Sequence, residues 1–164
     1  YILGGGAISS RLGDRIRQKE GLSYGVGSNV TAHPIDERST FYVFAIANPA
    51  NRDKVLTALG EELRRILSEG ISEDELKAAV DGYLKAQTLA RSNDSRLAEI
   101  LTVNLFAGRD MSYTTKTEAK IASLTVQDVN EALREYLNPE ALVLAAAGDF
   151  ANADKNAAGG ETPE

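Results

Sequence analysis

Cysteine is absent from this chain of 164 residues, and histidine occurs once, as His33. Without a thiol there is no disulfide, no thiolate nucleophile and no cysteine-ligated zinc, while the redox compartment stays open, because zero cysteines suit cytoplasm and periplasm equally. One histidine removes the two-imidazole zinc helix, whose ligands must stand one turn apart to reach one metal, and it removes Ser-His-Asp chemistry as well. The chain is expected to bind no metal or other cofactor of its own. A basic stripe is also lacking: 18 basic against 24 acidic residues give a net charge of -6. That balance speaks against sequence-independent binding to nucleic acid or to an anionic membrane. No apolar run is long enough to span a bilayer. There is no initiator Met and no charged leader before Tyr1-Ile2-Leu3, so no signal peptide is read, and the chain looks like a piece of something longer.

What is there reads as a globular domain, with 43% hydrophobic and 26% charged residues. After Gly4-Gly5-Gly6, a helix capped by Ser9 or Ser10 is expected to run to about Lys19, with Ile8, Leu12 and Ile16 at helical spacing and Gly21 closing it. Residues 22–31 read as a strand with Leu22, Tyr24 and Val26 on one face and Ser23, Gly25 and Gly27 on the other. A polar connection through His33-Pro34 leads to a second strand over 39–47, and the two make an antiparallel hairpin. Asn48-Pro49 opens a helix with an apolar stripe of Val55, Leu56, Leu59, Leu63, Ile66 and Leu67, ended by Gly70. Ser72 and Glu75 form a capping box before a long helix. Its periodicity continues, with an interruption near Ser92-Asn93-Asp94, through Leu97, Leu101 and Leu105 to Gly108. Another helix starts at Thr125 and stops near Asn138-Pro139, and 141–147 reads as a short buried strand. The order predicts an α+β fold, helices on one face of an antiparallel sheet. Residues 1–150 are expected to form one domain lacking its first strands, and 151–164 a polar tail.

Three features are candidates for chemistry. The glycines Gly4, Gly5 and Gly6 before a helix can cradle an anion, but no Walker lysine follows, and a loop with tight backbone packing explains them as well. Carboxylate pairs such as Glu61-Glu62 and Glu73-Asp74-Glu75 fall at positions read as exposed or capping, where nothing splits their acidities. The third is the segment from Arg11 to Tyr24. Arg17 lies near a helix end and Tyr24 emerges from the following strand, so two hydrogen-bond donors can converge across the turn on one carbonyl. The competing reading makes Tyr24 a core tyrosine, sharing parity with Leu22 and Val26, and Arg17 one of four basic residues on a solvated helix.

This segment resembles the pitrilysin and insulysin family of inverted-zincin metallopeptidases, which includes the mitochondrial processing peptidases. The resemblance rests on Leu3 to Gly6, Ser9 to Leu12, Arg17-Gln18-Lys19 and Gly21-Leu22-Ser23-Tyr24. It continues through Pro49, the capped helix from Ser72, the run from Thr125 to Val129 and the stretch from Leu142 to Asp149. It implies two related α+β halves, with zinc held by an H-x-x-E-H motif in the other half, fused to this chain or on a separate subunit. It also implies that Arg17 and Tyr24 bind a peptide substrate near the scissile carbonyl, with Gly4, Gly5 and Gly6 as a substrate-handling loop. Gln18 stands where the family often has Glu. Two functions then compete: the non-catalytic, substrate-binding half of a zinc endopeptidase, or an inactive homologue acting as a scaffold. The chain on its own is expected to be inactive, to expose a sheet edge and to self-associate. Periplasm and cytoplasm both fit.

Overall fold

Nine residues of alternating exposure, Ser39–Ala47, pair antiparallel with Ser23–Ala32 in the computed structural model, which describes residues 1–5 and 10–151. These strands, β1 (Ser23–Ala32) and β2 (Ser39–Ala47), form a two-stranded sheet. On β2 the inward residues Phe41, Val43, Ala45 and Ala47 pack against the core, while Tyr42, Phe44 and Ile46 face outward and are nearly half exposed. Such alternation is what a sheet with one face covered by helices requires.

Ahead of the hairpin, Ser10 accepts a hydrogen bond from Gly13 N at 3.2 Å, so Ser10 supplies the expected cap. The helix it starts is π-wound over Gly13–Lys19. Leu12 and Ile16 are fully buried on it, each contributing about 1.5–3 kcal/mol through lost apolar surface. After β2, a 3-10 turn over Pro49–Asn51 leads into α1 (Arg52–Glu69), then α2 (Glu73–Arg91), α3 (Asp94–Phe106), α4 (Met111–Ala122) and α5 (Val126–Tyr136). The Ser72/Glu75 capping box forms, and the interruption falls at Ser92-Asn93, where Asn93 caps α3. α4 occupies a stretch from which no element was read. Gly70 ends α1 with φ 74° and ψ -162°, a conformation that side chains disfavour.

The core joins Leu3, Leu12 and Ile16 to Val55, Ala58, Leu63 and Ile66 of α1, with Ile71 and Leu76 beyond. α5 docks on the α1–α2 turn through Asn130, whose Oδ1 accepts from Ile71 N at 2.9 Å.

Three sequence expectations are corrected. Glu62 is buried, 1% exposed, because it stands four residues from both Ala58 and Ile66 on the apolar stripe of α1. Leu101 and Leu105 of α3 are 47% and 80% exposed; α3 instead turns Asn104 inward, where its Nδ2 donates to Thr114 of α4 at 3.2 Å. Residues 141–147 form no ladder, and Val143 is 96% exposed. An apolar run becomes a strand only against a neighbouring edge, and among the described residues none stands beside it. Gly6, Ile8, Ser9 and 152–164 of the expected tail lie outside the described residues.

Candidate functional site

π-winding adds a residue to each turn, and the signature here is Glu20 N donating to Arg15 O at 2.9 Å, five residues back. Leu22 N then donates to Ile16 O at 2.9 Å, so the helix end is tied to the entry of β1. The basic residues of this helix divide. Arg11 is held by Glu75 and by the Gly70 carbonyl, and Arg15 by Glu20, Glu61 and the buried Glu62. Those carboxylates hold the Arg11 and Arg15 guanidiniums above the usual arginine range, hydrogen bonding to Glu75 and to Glu20 being the leading causes. Arg17 is exposed, with no hydrogen bond or ion pair to any described residue. The first two are therefore structural, and Arg17 is left with its donors open.

Tyr24 sits where the β1–β2 ladder breaks register. Ser23 pairs with Ala47 and Gly25 with Ile46, so two residues, Tyr24 and Gly25, oppose Ile46 alone. Such a bulge re-aims a side chain. Strict alternation would put Tyr24 with Leu22 and Val26, both packed against the core; instead Tyr24 is 74% exposed, and Ser23 and Gly27 are buried. This removes the core-tyrosine reading. The expected two-face division of the strand fails for the same reason: parity counts residues, and a bulge adds one.

Of the glycine run, Gly4 lies against β1. Its carbonyl accepts from Ser28 N at 3.0 Å, and a Cβ there would come within 2.6 Å of that nitrogen. Gly27 is confined from the other side, with Gly4 O at 2.9 Å and the Phe44 ring at 3.0 Å from where its Cβ would stand. Glycine is required at both positions by backbone approach. Gly5 folds back on Tyr1, with Gly5 N donating to Tyr1 O at 3.2 Å.

His33 lies in the hairpin loop, and its Nδ1 accepts from Asp36 N at 2.9 Å. Among the described residues no three His, Asp or Glu side chains converge as metal ligands. A zinc ion does not fit this donor set. Glu73, Asp74 and Glu75 are at the start of α2 as expected, and Glu75 is occupied by Arg11 and Ser72.

Sequence reasoning missed Ser23. Its hydroxyl lies 2.7 Å from Ile46 O and 2.8 Å from Gly25 O, and it accepts from Gly25 N at 3.2 Å. A serine flanked by Leu and Tyr carries no pattern that announces this role.

Residues 1–83 match the family described as the peptidase M16 inactive domain. The uncharacterized zinc protease SCO5738 of Streptomyces coelicolor is 33% identical over 135 residues, covering 81% of this chain and 28% of that protein. The probable zinc protease PqqL of Escherichia coli K12 is 25% identical over 132 residues, covering 80% of this chain and 14% of that protein. The chain thus spans less than a third of the length of either relative. Among solved structures, the peptidase M16 inactive domain from Pseudomonas fluorescens superposes with a TM-score of 0.70 at 25% identity, over 84% of this chain and 32% of that one.

Proposed function

The chain belongs to the peptidase M16 inactive-domain family, and from that premise we propose that it is the substrate-handling half of a zinc endopeptidase, with Arg17 and Tyr24 as the groups that receive the peptide. The observation that carries this reading is the bulge at Tyr24. It takes a large phenol out of the core parity and exposes it on the strand that follows the helix of Arg17. Both side chains are free of partners among the described residues, as groups kept for a ligand would be.

The chemistry follows from the donors. A guanidinium offers a rigid fork of N–H groups and a phenol one O–H, and both gain strength as a peptide carbonyl oxygen develops negative charge. In this reading the hydrolytic chemistry belongs to zinc in an H-x-x-E-H half, fused or separate; among the described residues no group of side chains converges to hold the ion. Gly4 and Gly5 lie against Gly27 and Ser28 of β1, and in this reading the loop they belong to helps to handle the peptide.

The test is turnover of an unstructured fluorogenic peptide by the chain together with its zinc-bearing half. Arg17→Ala is expected to lower kcat by roughly 100-fold with zinc content unchanged. Unaltered turnover would sink the role of Arg17. Absence of turnover by the intact wild-type assembly would favour the scaffold.

A further inference from the structure

We propose that Ser23 is a positioning residue that sets the presentation of Tyr24, an inference that rests on the substrate-handling reading of Tyr24. A bulge leaves its extra residue outside the ladder, so something other than regular pairing must hold it. Here one buried hydroxyl spans the defect. Ser23 Oγ shares its proton between Ile46 O on β2, at 2.7 Å, and Gly25 O on β1, at 2.8 Å. A lone pair of the same oxygen takes Gly25 N at 3.2 Å. The backbone is therefore held on both sides of Tyr24, at the one place where the two strands fall out of step.

The setting makes the hydroxyl hard to replace. Ser23 is 6% exposed, so water has little access to substitute for it. Without Oγ, the Gly25 N–H and the Ile46 carbonyl each lose a partner beside the bulge, and part-buried polar groups that lose a partner favour rearrangement. The nearest rearrangement is restored alternation, which carries Tyr24 toward the face of Leu22 and Val26. That face is already packed against the core. Ser23 thus separates two strand registers that differ in where the phenol stands.

The experiment compares Ser23→Ala, Ser23→Thr, Tyr24→Phe and the Ser23→Ala/Tyr24→Phe double variant, in the chain together with its zinc-bearing half. Ser23→Ala is expected to lower kcat roughly tenfold with a smaller change in KM, as loosened positioning does. Ser23→Thr, which keeps the hydroxyl, is expected to restore it. In the Tyr24→Phe background, Ser23→Ala is expected to add no further loss. An equal loss in both backgrounds means that Ser23 only stabilises the hairpin and overturns the proposal. If Ser23→Ala does not fold, Ser23→Cys, which keeps the volume and weakens the hydrogen bond, takes its place. Amide exchange separates the two readings: Ser23→Ala should speed exchange of Gly25 N–H at least about tenfold. Unchanged exchange overturns the Ser23 pin whatever the activity does. Faster exchange with Tyr24→Phe fully active overturns the substrate-handling reading of Tyr24, and with it the functional role of Ser23.

Discussion

Arg11 grips Glu75 in a two-point ion pair, Nε to Oε1 at 2.7 Å and Nη2 to Oε2 at 2.9 Å. The same Nη2 reaches the Gly70 carbonyl at 2.7 Å, and Glu75 Oε2 closes the capping box by accepting from Ser72 N at 2.8 Å. One carboxylate thereby starts α2 and fastens it to the helix that carries Arg17. Hydrogen bonding to Arg11, with help from Ser72 against the cost of burial, pulls the Glu75 carboxyl down to about 2 from its ordinary 4.5.

A pH dependence follows. Because the folded value lies below the ordinary one, the stabilisation is complete above about 4.5 and is lost as pH falls from there toward about 2. Glu75→Gln should lower Tm at pH 7, and the gap to wild type should narrow between pH 4.5 and pH 2. Thermal unfolding of both proteins across that range checks it; a gap independent of pH would show that the carboxylate charge is irrelevant.

Gly70 is the second structural test. Its φ of 74° with ψ -162° is a region reserved for glycine, and a Cβ would stand 2.8 Å from Oδ1 and Nδ2 of Asn130. Gly70→Ala should destabilise by about 1–3 kcal/mol from the backbone alone. Chemical denaturation measures it, and Gly82→Ala, with open space around its Cβ on α2, serves as the control that should be neutral or stabilising.

Arg15 and Arg17 should part company in stability. Arg17→Ala removes an exposed side chain with no partner among the described residues and should change unfolding free energy by no more than about 0.5 kcal/mol. Arg15→Ala removes a partner of Glu61 and of the buried Glu62, whose Oε1 has no hydrogen bond among the described residues, and should cost about 1–3 kcal/mol. Equal losses would contradict the division into an arginine held by carboxylates and one left open.

The segment 141–147 predicts association of the isolated chain. Val143 and Leu144 are 96% and 65% exposed, and the segment has no ladder partner among the described residues. Extended apolar backbone in that condition recruits another edge. Light scattering at rising concentration should show species above the monomer, and Val143→Lys with Leu144→Glu should reduce them; a strict monomer at all concentrations would refute this.

The periodic elements were legible because their causes are local. Apolar spacing and caps give α1 and the capped starts of α2 and α5, and alternation gives β2, without reference to the rest of the chain. α4 escaped because its Met111–Ala122 run, rich in Thr, Ser and Lys, carries no continuous apolar stripe to mark a face. The exposed leucines of α3 misled because apolar periodicity records a face without recording what covers it. The 141–147 run misled because a strand is a property of two segments.

For the site, the sequence by itself settled the negative half: one histidine and no cysteine leave no metal centre of the inverted-zincin kind in this chain. It was the family resemblance that singled out Arg17 and Tyr24, because residue type and spacing alone leave a core tyrosine and a solvated arginine open as well. Which way Tyr24 faces was decided only in three dimensions. Parity assigned it to the core, and a single added residue in the β1–β2 ladder, with Ser23 bonded across to Ile46, turned it outward. Arg17 likewise became distinguishable from Arg11 and Arg15 only when their carboxylate partners, up to 64 residues away in the chain, were brought beside them. Register and ion pairing depend on distant segments meeting, and no local pattern carries that information.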